Sequence, residues 1–188
     1  MKLILSLTLI WMLFSTAAGA LQCETCQDTK CSNSFVQNCS SESACVSAAV
    51  QGSGFGGTVQ QLYKTCAPFV VCPFLGSQTY SVSTTGLSAS ASAQCCNTDK
   101  CNSATLNFTS AQSVNNLQCY SCDATNSNCS IRIQCKGVED RCFRANVTVQ
   151  SNTSLTMGCV SSNLCSLASN FNLPIVQRIS NLTLRKRS

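Results

Sequence analysis

The 188-residue chain carries 17 cysteines, no histidine, 12 basic and seven acidic side chains, and 6% aromatic residues. Without an imidazole, Ser-His, Cys-His and histidine-metal chemistry are unavailable to it, and the seven carboxylates follow no catalytic motif, so neither an enzyme centre nor a cofactor is indicated. The formal net charge of +5 includes a cluster at Arg185, Lys186 and Arg187. The rest of the chain is close to neutral and lacks the dense basic face of a nucleic-acid binder.

Residues 1–20 read as a secretion signal. Met1 and Lys2 give a short basic start, residues 3–14 are an apolar run, and Ala18-Gly19-Ala20 is a small-residue cleavage site, with the cut expected after Ala20. An apolar run this short does not span a bilayer. The remainder is therefore expected to be extracellular, where thiols persist as disulfides, and cysteine at about a tenth of it is the density of a disulfide scaffold.

The first strand signals lie at residues 44–50, small and β-leaning, and at residues 58–65, where Val59, Leu62 and Tyr63 resume the pattern after a stretch with four glycines around Phe55. Two strands joined by a glycine turn follow. The Gly-rich turn superficially resembles a phosphate loop, but no Lys-Ser/Thr ending and no helix follow it. Residues 79–84 are a further strand candidate before the small-residue stretch 86–93. Residues 103–116, rich in Ser, Asn and Thr, suit an exposed flexible linker. Residues 143–149 alternate with period two, residues 151–154 read as a turn, and residues 155–158 return toward Cys159. The sequence shows no amphipathic helix of useful length.

The chain repeats itself. Leu21-Gln22-Cys23 recurs as Leu117-Gln118-Cys119, an offset of 96, and each copy opens a C-x-x-C pair, Cys23/Cys26 and Cys119/Cys122. Glu42 lies three residues before Cys45 and Glu139 three before Cys142, and Cys66/Cys72 and Cys159/Cys165 share a spacing of six. Two tandem units are expected, 21–102 and 117–188.

The cysteine order of the first unit resembles the three-finger domain of the lymphocyte antigen 6 and urokinase receptor family. The resemblance rests on L-x-C-x-x-C at Leu21, the middle cysteines Cys31, Cys39, Cys45, Cys66 and Cys72, and the closing Cys95-Cys96-Asn97-Thr98-Asp99-Lys100-Cys101-Asn102. It implies an all-β, disulfide-rich fold of two tandem three-finger units. It also implies the pairings Cys23 with Cys45, Cys26 with Cys31, Cys39 with Cys66, Cys72 with Cys95, and Cys96 with Cys101, and a structural role for Asn102 at the crosslinked base. In the second unit it implies Cys119 with Cys142, Cys122 with Cys129, and Cys135 with Cys159. The closing motif is missing there, so Cys165 is left without its family partner. A free thiol, an intermolecular bridge that would make a disulfide-linked dimer, and an incomplete sequence all remain open, with truncation the favoured reading. Structural crosslinks of this kind leave no role for the C-x-x-C pairs as redox or zinc sites.

Six N-x-S/T sequons lie at Asn38, Asn107, Asn128, Asn146, Asn152 and Asn181. Asn38 and Asn128 are the poorer acceptors, because their middle residues Cys39 and Cys129 are expected to be crosslinked. Asn146 and Asn152 flank the tip of the second unit's central hairpin, so glycans there would shield that finger and leave the loop around Phe55 as the freer contact surface.

What the family resemblance implies about activity is recognition rather than catalysis. Secreted two-unit relatives include the gamma-type phospholipase A2 inhibitors, and the layout also resembles fish receptor-like members. The leading expectation is a secreted protein that sequesters an extracellular protein. A fragment of a lipid-anchored cell-surface receptor comes second, since residues 171–188 hold no hydrophobic anchor tail. A toxin-like modulator of receptors or channels is third.

Overall fold

A computed structural model describes residues 20–26, 28–40, 43–54, 56–123, 128–149, 151–170 and 179–180. The signal segment, Phe55 and Asn181 lie outside the described residues.

The first repeat opens with β1 (Gln22–Cys26) and β2 (Ser34–Asn38), a hairpin forming the first finger. The second finger is β3 (Ser43–Gly54) with β4 (Gly57–Pro68), in unbroken register from Ser43↔Pro68 to Gly54↔Gly57. Gly57 at φ 120 takes a conformation that L side chains rarely adopt. The third finger is β5 (Gly76–Thr84) with β6 (Leu87–Cys96), and β6 also pairs with β3. The stretch 86–93, expected only to follow a strand, thus forms most of one. Its Ser88, Ser90 and Ser92 sit in register with Ser83, Ser81 and Thr79, giving that face of the sheet a hydroxyl surface.

The second repeat has its first finger in β7 (Val114–Ser121) and β8 (Ile131–Lys136), and its second in β9 (Arg141–Val149) and β10 (Asn152–Val160). β10 resumes at Asn152, so the turn is tighter than the expected 151–154. In place of a third hairpin the chain enters a helix, α1 (Ser162–Asn170), and then β11 (Ile179–Ser180), which pairs with the outer edge of β9. The helix corrects the expectation that none would form. Its sequence, SNLCSLASN, has no charges, and its amphipathic signal is confined to Leu164 and Cys165, which face Val82, Phe143 and Val160. Its first turn is capped from a distance, Ser162 N–H donating to Asp140 Oδ1 at 2.7 Å.

Both repeats contribute to one seven-stranded sheet in the order β11-β9-β10-β5-β6-β3-β4. β10 of the second repeat pairs with β5 of the first through Cys159↔Ser83 and Val160↔Val82. The core is correspondingly thin and sulfur-rich. Cys23, Cys39 and Cys45 are buried at the base of the first repeat, and Cys119, Cys135 and Cys159 at the base of the second. Crosslinks of this density replace much of the apolar core that a small domain cannot build.

Residues 103–116 are not the flexible connection that their composition suggested. The Ser103 carbonyl accepts a hydrogen bond from the Lys64 ammonium, the Thr109 carbonyl accepts one from Gln51 Nε2 at 2.5 Å, Thr109 Oγ1 lies 3.2 Å from Ser92 Oγ, and β7 already begins at Val114. Thr109 is the residue of this segment that meets the hydroxyl face of the sheet, through both its carbonyl and its side chain.

Candidate interaction surface

The base of the first repeat is held by Cys23–Cys45, Cys26–Cys31, Cys39–Cys66, Cys72–Cys95 and Cys96–Cys101, with Cα–Cα separations of 4.9–6.1 Å. The second repeat carries Cys119–Cys142, Cys122–Cys129 and Cys135–Cys159. The sulfurs of Cys23, Cys39 and Cys66 cluster, as do those of Cys119, Cys135 and Cys159. All six are in disulfides and offer no thiolate to a metal.

Asn102 is buried among these crosslinks. Its Oδ1 accepts from Glu24 N–H at 2.9 Å, and its Nδ2 donates to the carbonyls of Glu24 at 2.8 Å and Val46 at 3.1 Å. The C-terminal end of the first repeat is thereby tied to β1 and β3. Nearby, buried Lys64 pairs with Glu24 at 3.1 Å, linking the first finger to the second.

The seam between the repeats is polar and densely hydrogen-bonded, with the Thr85 hydroxyl buried there without a partner among the described residues. Glu139, only 1% exposed, accepts from Ser81 Oγ and Ser83 Oγ, both at 2.8 Å, and from its own neighbour Lys136 N–H at 2.9 Å. Ser161 Oγ accepts from Ser81 N–H at 3.1 Å, and Ser161 N–H donates to the Ser81 carbonyl at 2.9 Å. Ser121 Oγ accepts from Thr85 N–H at 2.8 Å and donates to the Met157 carbonyl at 2.9 Å. Asn163 Nδ2 donates to the Thr79 carbonyl at 2.8 Å. Gly158 lies so close to β5 that a Cβ there would collide with the Ser83 carbonyl oxygen. The third finger of the first repeat is therefore committed to the seam.

Cys165 is 3% exposed within the apolar cluster of Phe143, Ala145 and Val160. Burial, with the nearby Asp140 carboxylate adding to it, pushes its thiol above the ordinary range. Of the states left open for Cys165, this fold holds it as a buried free thiol, and a bridge to a second molecule would need that site to open.

Among the sequons, Asn38 is exposed at the end of β2 and accepts from Gln22 Nε2 at 3.2 Å. Asn107 is exposed in the connection. Asn128 is exposed, and its Oδ1 accepts from Ser130 N–H at 3.1 Å and Ser130 Oγ at 2.7 Å. Asn146 is half-buried on β9 opposite Leu155, and Asn152 starts β10.

In the second finger of the first repeat, β3 is paired on both sides, with β4 and β6, while β4 forms the edge of the sheet farthest from the seam. Its outer half, residues 57–60, is exposed, and Val59 at 72% is among the most exposed apolar side chains described. Beside it, a cleft of about 380 Å³ is walled by Gln51, Ser53, Ser88, Ser90, Thr109 and Lys136. This lining offers hydroxyls and amides together with Lys136 and the Glu139 carboxylate, whose oxygens are taken up by Ser81 and Ser83. Sequence reasoning missed the seam residues Ser81, Ser83, Ser121 and Ser161, since isolated serines carry no pattern; only Glu139 stood out, by its repeated spacing before a cysteine. No described helix is long and apolar enough to cross a membrane.

The u-PAR/Ly-6 domain family model matches the chain twice, over residues 19–104 and 115–183. No individual curated protein matches it. The two matched segments coincide with the two crosslinked bases and their fingers, and the chain belongs to the u-PAR/Ly-6 domain family, in two tandem copies.

Proposed function

We propose that this chain is a secreted, non-catalytic binding protein that sequesters an extracellular protein, with secreted phospholipase A2 enzymes as the first partner class to test. Modules of this family are typically extracellular and bind proteins. The observation that carries the reading is the division of labour among the fingers. The third finger of the first repeat is spent on fixing the two repeats together, while the outer half of β4 in its second finger is exposed along the far edge of the sheet. A rigid body with one exposed finger edge loses little conformational entropy when that edge is held by a partner. That finger, residues 43–68, contains no sequon. Glycans on Asn146 and Asn152 would cover the opposite end of the sheet, directing partners to the first repeat.

The test is capture from extracellular fluid, and from a panel of secreted phospholipases A2, by the glycosylated chain with its disulfides mapped. The expected result is a partner whose binding is lost when residues 53–58 are replaced by a charged turn and retained in Asn146→Gln with Asn152→Gln. Capture that ignores the tip replacement, or that needs both glycans, would contradict this reading.

A further inference from the structure

The seven-stranded sheet has two edges, and they are treated differently. At one, the short β11 covers β9. At the other, one backbone hydrogen bond among the described residues joins β4 to the first finger, from Leu62 N–H to the Thr29 carbonyl at 2.8 Å. That bond fixes the parity of the strand. Residues of β4 that turn their backbone groups outward are Leu62, Gln60 and Thr58, whereas Gln61, Val59 and Gly57 turn theirs toward β3, as the Gly54↔Gly57 closure of the hairpin requires. Thr58 and Gln60 thus present two outward N–H and two outward carbonyl groups, and no described backbone hydrogen bond satisfies them.

Exposed edges are ordinarily blunted by lysine, proline, a bulge or a covering segment. Residues 51–63 contain no charged residue and no proline, the β3–β4 register runs without a bulge, and residues 57–60 are exposed. We infer that this edge is a self-association site, at which β4 of one molecule pairs antiparallel with β4 of a second copy about a twofold axis through Val59.

The register follows from the parity. Among the outward-facing residues from Thr58 to Cys66, Thr58 and Gln60 are the exposed ones, so Thr58 meets the partner's Gln60 and Gln60 meets the partner's Thr58. Each is a hydrogen-bonded pair exchanging two backbone bonds. Between them Val59 faces the partner's Val59 as the non-hydrogen-bonded pair, where opposed side chains come closest, and two exposed β-branched side chains cover each other. An isologous contact brings any charge near the axis close to its own image in the second copy, and this segment has none. The chemistry therefore suits a second copy. The contact is non-covalent and short, so it belongs to the weak class of interfaces and is populated at high concentration or when copies are held close together.

The experiment is sedimentation equilibrium of the full glycosylated chain from low micromolar to near-millimolar concentration, with amide exchange followed in parallel. A concentration-dependent dimer is expected, running as monomer on a non-reducing gel, with the Thr58 and Gln60 amides gaining protection as dimer forms. Val59→Lys places like charges on the axis and should leave only monomer. Gln60→Pro removes an N–H that the isolated hairpin does not use, and should do the same while the circular dichroism of the fold is retained. A chain that stays monomeric throughout, or a dimer that both variants leave intact, overturns the inference. So does an edge that pairs only with the strand of a different protein.

Discussion

Glu139 of the second repeat and Ser81 of the first are joined by a 2.8 Å hydrogen bond inside the seam, and the same carboxylate holds Ser83 at 2.8 Å. One acidic side chain thus fixes two successive inward positions of β5 while anchoring its own turn through Lys136 N–H. Glu139→Ala leaves the two buried hydroxyls of Ser81 and Ser83 without their acceptor and frees the Lys136 N–H, which costs about 3 kcal/mol of stability. Glu139→Gln keeps part of the acceptor capacity and should cost less. Equilibrium denaturation of the three proteins checks both the size and the order.

The tight approach of β10 to β5 depends on Gly158. Its substitution by alanine forces a Cβ against the Ser83 carbonyl oxygen, a backbone atom that cannot rotate away. The seam must then open locally, at an expected cost of about 2 kcal/mol. Calorimetry should show a lower melting temperature with the disulfide pattern unchanged.

Asn102 is satisfied on both sides of its amide by β1 and β3. Asn102→Ala strands one N–H and two carbonyls at the base, and about 2–4 kcal/mol of destabilisation is expected from the lost hydrogen bonds together with the desolvation of their partners. Denaturant titration with intact disulfides is the measurement.

Cys165 sits in an apolar cluster with its thiol pushed upward by burial. Alkylation of the native chain by iodoacetamide should therefore be far slower than that of the unfolded chain at the same pH. The sign of the linkage follows from the raised value. The protonated thiol is favoured by folding, so its contribution is fully present below the ordinary thiol range and is lost as pH rises through the folded-state value. Stability should fall on the alkaline side in the parent and fall less in Cys165→Ala.

Much of the scaffold could be read from cysteine order, because sulfur positions are discrete and their cadence is tied to one family. The second finger was legible for a related reason, since a glycine-rich turn between two β-leaning runs is a local signal. Strand β6 was not, because Leu-Ser-Ala-Ser-Ala-Ser-Ala has weak strand propensity of its own; pairing with β3 on one side and β5 on the other supplies what the sequence lacks. Helix α1 was hidden likewise, its first turn capped by Asp140 from another element and its packing carried by Leu164 and Cys165. The seam was the least visible part. Ser81, Ser83, Ser121 and Ser161 look like surface serines until the second repeat brings Glu139 and β10 against them.

The central claim is that the two repeats form a single sheet through β5 and β10, leaving the β4 edge of the first repeat's second finger as the open surface. Native-state amide exchange at Ser81 and Ser161, whose N–H groups donate across the seam at 3.1 and 2.9 Å, tests it most directly. Exchange as slow as that of the Cys45 and Cys159 strands is the expected result. Exchange at the rate of an open surface strand would mean that the repeats move independently, and would contradict the account.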